Sequence, residues 1–417
     1  MHFFYNLSIR LFGLAILVGG MFNLKIRKRK KLQGQWKSYL PDQPVDLWMH
    51  CASLGEFDQG LPLLWEYRKM YPEARIMVSF FSPSGFEHFN KRHHCVDVAC
   101  ILPLDTRKNA HFFLEITQPK TVIFVKYELW LNFLFAVQQR KIPLYAVAAV
   151  FRKDHLMFKP LGGVFRNAMK GFTHIFVQNE VSQNLLHRIG IHQVSAVGDP
   201  RFDNVMLQKN TPRQDLKQDK NLIILNDICE NKKVLVVGSS WQAEEQLLHN
   251  VLHQLPFEKV LLAPHDIGSK HLYDVETLFG EECHRLSKME FYRNERIILI
   301  DSIGLLTSLY RLGNLALIGG GFTGKLHNIL EPAVYGLPII FGPKYDRFPE
   351  ASLFIEQGIA DSFSNEAELI AAVDRMIQDL EERQKTALNL MQQQCGATHR
   401  IMDHLLNTPV HRVAPSS

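Results

Sequence analysis

From Val45 onward, short apolar runs alternate with longer amphipathic stretches. Runs of that length suit buried strands and the stretches between them suit helices, so the pattern predicts βαβ units around parallel sheets. In the first half the predicted strands are Leu47–Cys51, Arg75–Phe80, Thr121–Val125, Leu144–Ala148 and His174–Val177. A second series follows at Lys233–Gly238, Lys259–Ala263, Ile297–Ile300, Leu315–Ile318 and Pro338–Phe341. Between them lies Gln208–Lys220 (QKNTPRQDLKQDK), nearly devoid of apolar side chains and carrying one proline, which reads as a linker. The expected organisation is an N-terminal segment 1–31, an α/β Rossmann-like domain over 32–207, the linker 208–220, a second Rossmann-like domain over 221–390, and a remainder over 391–417. Open sheets of this kind hold ligands at the carboxyl ends of their strands, here expected in a cleft between two facing domains.

Composition narrows the class. A chain of 417 residues with 46% hydrophobic and 21% charged residues has enough apolar surface for two cores and is not a disordered polymer. The net charge is a mild +5, and six of the 47 basic residues fall in one run, Lys25-Ile-Arg-Lys-Arg-Lys-Lys31. That excess is local, so no nucleic-acid partner is expected. Six cysteines at 51, 95, 100, 229, 283 and 395 show no paired spacing, which reads as reduced thiols rather than a disulfide framework or a zinc site. The apolar run Leu11–Leu24 precedes the basic run, the reverse of a secretory signal. Extended back through Phe3, Phe4 and Tyr5, it reads either as a marginal span or as a helix lying in the membrane interface, with the basic cluster at the anionic cytoplasmic surface. A buried N-terminal helix is the competing reading.

The segment Gly319-Gly-Gly-Phe-Thr-Gly-Lys-Leu-His-Asn-Ile-Leu-Glu-Pro332 carries the strongest chemical signal. It follows a strand and is expected to open a helix ending near Gly336. Glycines such as Gly321 let backbone N–H groups approach an anion, and a helix start adds free donors. His327 and Asn328 are placed to help hold a phosphate, with Glu331 one turn on for ribose hydroxyls. Gly319-x-Gly321-x-x-Gly324 also fits the dinucleotide fingerprint, with Asp346 as its acid, but it sits late in the chain and the acid lies in a loop. In the first half, His50-Cys-Ala-Ser-Leu-Gly-Glu56 follows a strand. Glu56, aimed by a tight turn at Gly55, suits a general base whose pKa burial raises. Ser53 and Glu56 also have the spacing of a capping box, and locally the two readings stay open. Glu128 and Asn132, the Ser82/Ser84 turn, Ser239 and His265 all fall at carboxyl strand ends too.

Together these residues resemble the 3-deoxy-D-manno-octulosonic acid (Kdo) transferases of lipopolysaccharide biosynthesis. The ordered blocks are His50–Glu56, Ser82–Gly85, Leu102–Asp105, Glu128–Asn132, Gln178, Gly198–Asp203, Gly238-Ser239 with Glu244 and Glu245, and His327–Pro332. The resemblance implies a GT-B fold with an N-terminal acceptor domain, a C-terminal donor domain, and a C-terminal helix within 391–417 that packs back. It implies transfer of Kdo from CMP-Kdo to a lipid A precursor at the cytoplasmic face of the inner membrane, with no cofactor and no metal. Glu56 is implied as catalytic base. Ser53, Gly55, Ser82, Ser84, Glu128 and Asn132 are expected to bind the acceptor. Ser239, His265, Gly321, Lys325, His327, Asn328 and Glu331 are expected to bind the donor. Where the family often carries Pro-Arg-His this chain has Pro264-His265-Asp266, and Lys325-Leu326 replaces a glycine pair, so Lys325 is expected to supply the cation. Rival readings are a related transferase using a UDP-sugar, a non-catalytic membrane adaptor, and an NAD-binding oxidoreductase.

Overall fold

The computed structural model describes residues 2–210 and 219–407. The chain divides into two compact units, Met1–Asn204 with Gln394–Ser417, and Val205–Gln393. Of the stretch read as a linker, 208–210 end the helix Pro200–Asn210, and Asp219 caps the helix Lys220–Cys229 by accepting from the N–H groups of Asn221 and Leu222. Residues 211–218 lie outside the described residues.

Seven strands build the first unit: β1 (Leu47–Cys51), β2 (Ile76–Phe80), β3 (Val98–Ile101), β4 (Thr121–Val125), β5 (Leu144–Ala149), β6 (His174–Val177) and β7 (Val194–Ala196). Seven build the second: β8 (Val234–Ser240), β9 (Lys259–Pro264), β10 (Cys283–Arg285), β11 (Ile297–Leu299), β12 (Leu315–Ile318), β13 (Ile339–Phe341) and β14 (Ala360–Ser362). Both sheets are parallel, ordered β3-β2-β1-β4-β5-β6-β7 and β10-β11-β9-β8-β12-β13-β14. The ten strands expected from the apolar runs are all present. The four that pattern alone did not show, β3, β7, β10 and β14, are the four sheet edges.

Burial explains why the central strands are continuous apolar runs. A parallel strand covered by helices on both faces has no solvent side, so successive residues feed two cores. In β1, Leu47, Met49 and Cys51 enter one layer with Phe57, Leu64 and Phe80, whereas Trp48 enters the opposite layer with Phe113, Phe124 and Phe133. The C-terminal helix Ala397–Asn407 completes the first of these layers with Ile401, Met402 and Leu405. It is held at its start by Asp203, which accepts from the N–H groups of Gly396 (2.6 Å) and Thr398 (2.7 Å). The Gly198–Asp203 block therefore serves to seat the returning helix.

Candidate active site

In an open parallel sheet, the carboxyl ends of two neighbouring strands whose connections run in opposite directions form a crevice that a third element does not fill. The first sheet reverses between β1 and β4, the second between β8 and β12. The residues singled out from sequence gather at these two places.

At the β1 end, Ser53 has an extended backbone and caps the helix Leu54–Met70, its Oγ accepting from the Glu56 N–H at 3.4 Å. The Glu56 carboxylate folds back and accepts from the Ala52 N–H at 2.5 Å. Capping and a buried acid are thus one arrangement, not alternatives. Glu56 is 6% exposed, and burial raises its pKa against the opposing pull of Lys126 and the backbone donors. Lys126, at the end of β4, brings its Nζ to 3.9 Å from Glu56 Oε1. It does so from a left-handed backbone (φ 64°), a conformation uncommon for a residue with a long side chain and one that re-aims the chain after the strand. Two residues on, the Glu128 carboxyl is raised to about 7, by burial first and then by the negative charge of Glu56. Two carboxyls, both raised by burial, therefore share the β1/β4 switch point with one cation.

Other expectations for this unit need correction. Gly55 already lies in the first helical turn with open space where a Cβ would stand, so the turn that aims Glu56 is made by Ser53 and not by glycine. Asn132 is 4% exposed and its amide donates to Asn6 Oδ1 (3.0 Å) and the Asp105 carbonyl (2.5 Å). It is committed to the protein's interior because its helix, Leu131–Gln139, starts against Asp105, whose carboxylate accepts from the N–H groups of Asn132 and Phe133 (both 3.0 Å). Ser82 does not cap the helix it precedes; its hydroxyl meets that of Ser84 at 2.8 Å, and the Ser82 N–H donates to the Ala52 carbonyl at 2.7 Å. That pair stands beside the Glu56 turn, where Gly85 packs on Ser53 and Leu54.

In the second unit the β8 and β12 loops are locked by a carboxylate that the sequence did not single out as a site residue. Glu244, 1% exposed, accepts from the Gly320 N–H (2.9 Å) and the Trp241 N–H (3.1 Å). Its neighbour Glu245 accepts from Ser240 Oγ at 2.8 Å, and His271 Nε2 lies 3.1 Å from the same oxygen. The glycine run serves this packing. A Cβ on Gly319 would stand 2.1 Å from the Ser239 carbonyl oxygen, and one on Gly321 would stand 2.4 Å from the Gly342 nitrogen. Gly321 thus admits a neighbouring strand end, a packing reason for glycine at this position. The dinucleotide reading loses its basis, since the helix that follows is only Leu330–Ala333.

The helix after the glycine run is a single turn, Leu330–Ala333, so the long dipole expected at His327 and Asn328 is absent. Asn328 lies before it as a local cap, Oδ1 accepting from the Leu330 N–H and Nδ2 donating to Glu331 Oε1, both at 3.1 Å. Glu331 also accepts from Thr307 Oγ1 at 3.0 Å, which holds its carboxylate in one orientation. His327 Nε2 accepts from Trp241 Nε1 at 3.4 Å, so the ring carries its proton on Nδ1. Burial and His265 push its pKa down to about 4, so it is a neutral donor. His265 stacks on Trp241 (centroids 4.4 Å, 19° between planes) and meets His327 at 4.6 Å, forming an aromatic shelf at the β8 and β9 ends. Ser239 has φ 53° at the bulge that ends β8, and Lys325 is exposed.

Two parallel Rossmann-like units with polar constellations at both switch points define the GT-B fold. The UDP-GlcNAc 2-epimerase of Neisseria meningitidis, solved bound to UDP-GlcNAc, matches it with a TM-score of 0.62, covering 87% of this chain and 100% of that one at 14% identity. At that identity the likeness speaks for the fold alone. The profile of the 3-deoxy-D-manno-octulosonic-acid transferase (kdotransferase) family matches residues 24–204. The 3-deoxy-D-manno-octulosonic acid transferase of Aquifex aeolicus is 27% identical over 340 residues, 79% of this chain and 86% of that one. The Haemophilus influenzae protein of the same name is 24% identical over 384 residues, 87% of each chain. The chain is therefore similar to the Kdo transferases, through the family profile over 24–204 and through these relatives over most of its length.

Proposed function

We propose that the chain transfers Kdo from CMP-Kdo to a lipid A precursor, lipid IVA, at the cytoplasmic face of the inner membrane, with Glu56 as general base and without a metal ion. The observation that carries the base assignment is the buried Glu56 carboxylate beside Lys126 at the β1/β4 switch point. An acceptor hydroxyl is a weak acid. As its oxygen bonds to C2 of Kdo, the proton passes to a Glu56 oxygen, the C2–O bond to the phosphate breaks, and CMP departs with the electron pair. Glu128 in its protonated form donates a hydrogen bond to the acceptor, and Ser82 and Ser84 contribute hydroxyls. In the second unit Glu331 accepts from the ribose hydroxyls. Lys325 and the Nδ1–H of His327 stabilise the charge on the departing phosphate.

The test is CMP release from CMP-Kdo and lipid IVA by the full-length protein, with Glu56→Ala beside it. The variant is expected to lose about 10²–10⁴-fold in kcat, the usual contribution of a general base. EDTA is expected to leave the rate unchanged, and CMP to bind more tightly than UMP in calorimetry. Absence of CMP release by the wild type would overturn the proposal.

A further inference from the structure

The helix His2–Phe22 is long and apolar enough to cross a membrane by length and composition, and most of it is bare. Its contacts, however, run along one stripe from end to end. Tyr5 OH donates to Asp105 Oδ2 at 2.5 Å and accepts from the Leu131 N–H at 3.2 Å, and Asn6 Oδ1 accepts from Asn132. Ile9 and Ile16 are buried, and Gly13 sits so close to Leu104 that a Cβ would stand 2.9 Å from its Cδ1. Positions 5, 9, 13, 16 and 20 share one helical face. Positions 3, 7, 11, 14, 18 and 21 share the opposite one, and these residues, Phe3, Leu7, Leu11, Leu14, Val18 and Met21, are all exposed.

We infer that this helix does not cross the bilayer but lies in the plane of an anionic phospholipid surface, its Tyr5–Gly20 stripe on the first unit and its Phe3–Met21 stripe in the lipid. The inference rests on the membrane reading above and decides its geometry. About 1.5 Å of rise per residue separates Tyr5 from Phe22 by roughly 25 Å, close to the hydrocarbon thickness. In a spanning helix with the basic run at the cytoplasmic surface, Tyr5 would lie on the far side, where it cannot reach Asp105. Crossing and docking exclude one another. Crossing would also leave Asp105, which caps the helix carrying Asn132, without its Tyr5 donor.

Charge selects the surface. No Asp or Glu precedes Asp42, whereas eight Lys or Arg do. The following helix, Leu24–Gly34, folds back as a hairpin, with Arg27 Nε donating to the Gly20 carbonyl at 3.2 Å and Arg29 stacked over Phe81 at 3.6 Å. Lys28 is paired with Glu87 at 2.6 Å, and Arg10, Lys30 and Lys31 are exposed. An apolar face flanked by free cations fits acyl chains below anionic headgroups. The docking contacts join Leu131, which follows the Glu128 loop, and Asp105, which caps the helix starting there, so a lipid-borne acceptor meets the carboxylates without leaving the membrane.

The full-length protein with an N-terminal epitope tag, expressed in spheroplasts, tests this. The protein is expected in the membrane fraction, its tag resistant to added protease until lysis. An Asn6→Cys/Asn132→Cys variant is expected to cross-link in those membranes. Digestion of the tag in intact spheroplasts, or no cross-link in membrane-bound protein, would show a crossing helix and overturn the inference while leaving membrane attachment intact. Recovery in the soluble fraction would overturn attachment itself. Purified protein is expected to bind phosphatidylglycerol-containing vesicles roughly 100-fold more tightly than neutral ones, from three exposed cations at about 1 kcal/mol each; equal binding would overturn the choice of an anionic surface.

Discussion

Trp130 donates its indole N–H to Nε2 of His50 across 3.1 Å, tying the loop that carries Glu128 to the centre of the first sheet. Because Nε2 accepts, Nδ1 holds the proton and faces Ser79 Oγ at 2.9 Å, and the same oxygen accepts from Trp48 Nε1 at 2.8 Å. Burial pushes the His50 pKa down to about 3, so the relay stays neutral across the working range. Trp130→Phe keeps the ring against Phe81 and leaves Nε2 unpaired. The variant is expected to lose on the order of 1–2 kcal/mol in urea denaturation and to lower kcat through a displaced Glu128.

Lys126 acts on the same loop by charge. It holds down the pKa of both Glu56 and Glu128 against the effect of burial. Lys126→Met removes that restraint, so Glu56, the proposed base, protonates at higher pH. The acid limb of the kcat/KM profile should move upward, with the variant losing far more activity at pH 6 than at pH 9. An unshifted limb would remove Lys126 from the site.

Glu128 yields a stability signature. Its folded pKa of about 7 lies above the ordinary carboxylate value, so its contribution is favourable below the unfolded pKa and is lost as pH rises through 7. Glu128→Gln cannot ionise and should be the more stable protein at pH 8, by about 1–3 kcal/mol, with the gap shrinking toward pH 5. Chemical denaturation at the two pH values measures it.

Glu244→Ala leaves the N–H groups of Gly320 and Trp241 without their buried acceptor, a cost of about 1–3 kcal/mol for each donor that water does not reach. The β8 and β12 loops should loosen together. The expected kinetic result is a raised KM for the nucleotide sugar with little change in the acceptor KM.

Gly55→Ala separates folding from binding. The open space at this position and its helical backbone predict unchanged stability, or a gain of up to about 1 kcal/mol from helix propensity. A methyl beside Glu56 should nonetheless raise the acceptor KM. An unchanged KM would place the acceptor elsewhere.

The fold was largely legible because its central strands are buried on both faces. An apolar run such as Val234–Val237 or Leu315–Ile318 has one physical explanation in a chain of this rhythm. Edge strands carry no such signature. Cys283–Arg285 is half-buried throughout and Ala360–Ser362 for most of its length, and each owes its conformation to one neighbouring strand.

The site divides in the same way. Residues beyond the ends of apolar runs, among them Glu56, Glu128, His327 and Glu331, could be put forward as candidates from position, since a strand's carboxyl end is where its side chains leave the core. The apolar stretch before Lys25 likewise announced a long apolar helix, His2–Phe22. What each polar group does was decided in three dimensions. The left-handed Lys126, the Glu244 clasp on Gly320, the close seating of Gly321 on Gly342, and the burial of Asn132 under Tyr5 and Asn6 all join residues distant in the chain or depend on backbone geometry. Periodicity reports which side of an element faces the core. It contains no term for which partner across the core will satisfy a buried donor, and that partner separates a ligand-binding side chain from a structural one.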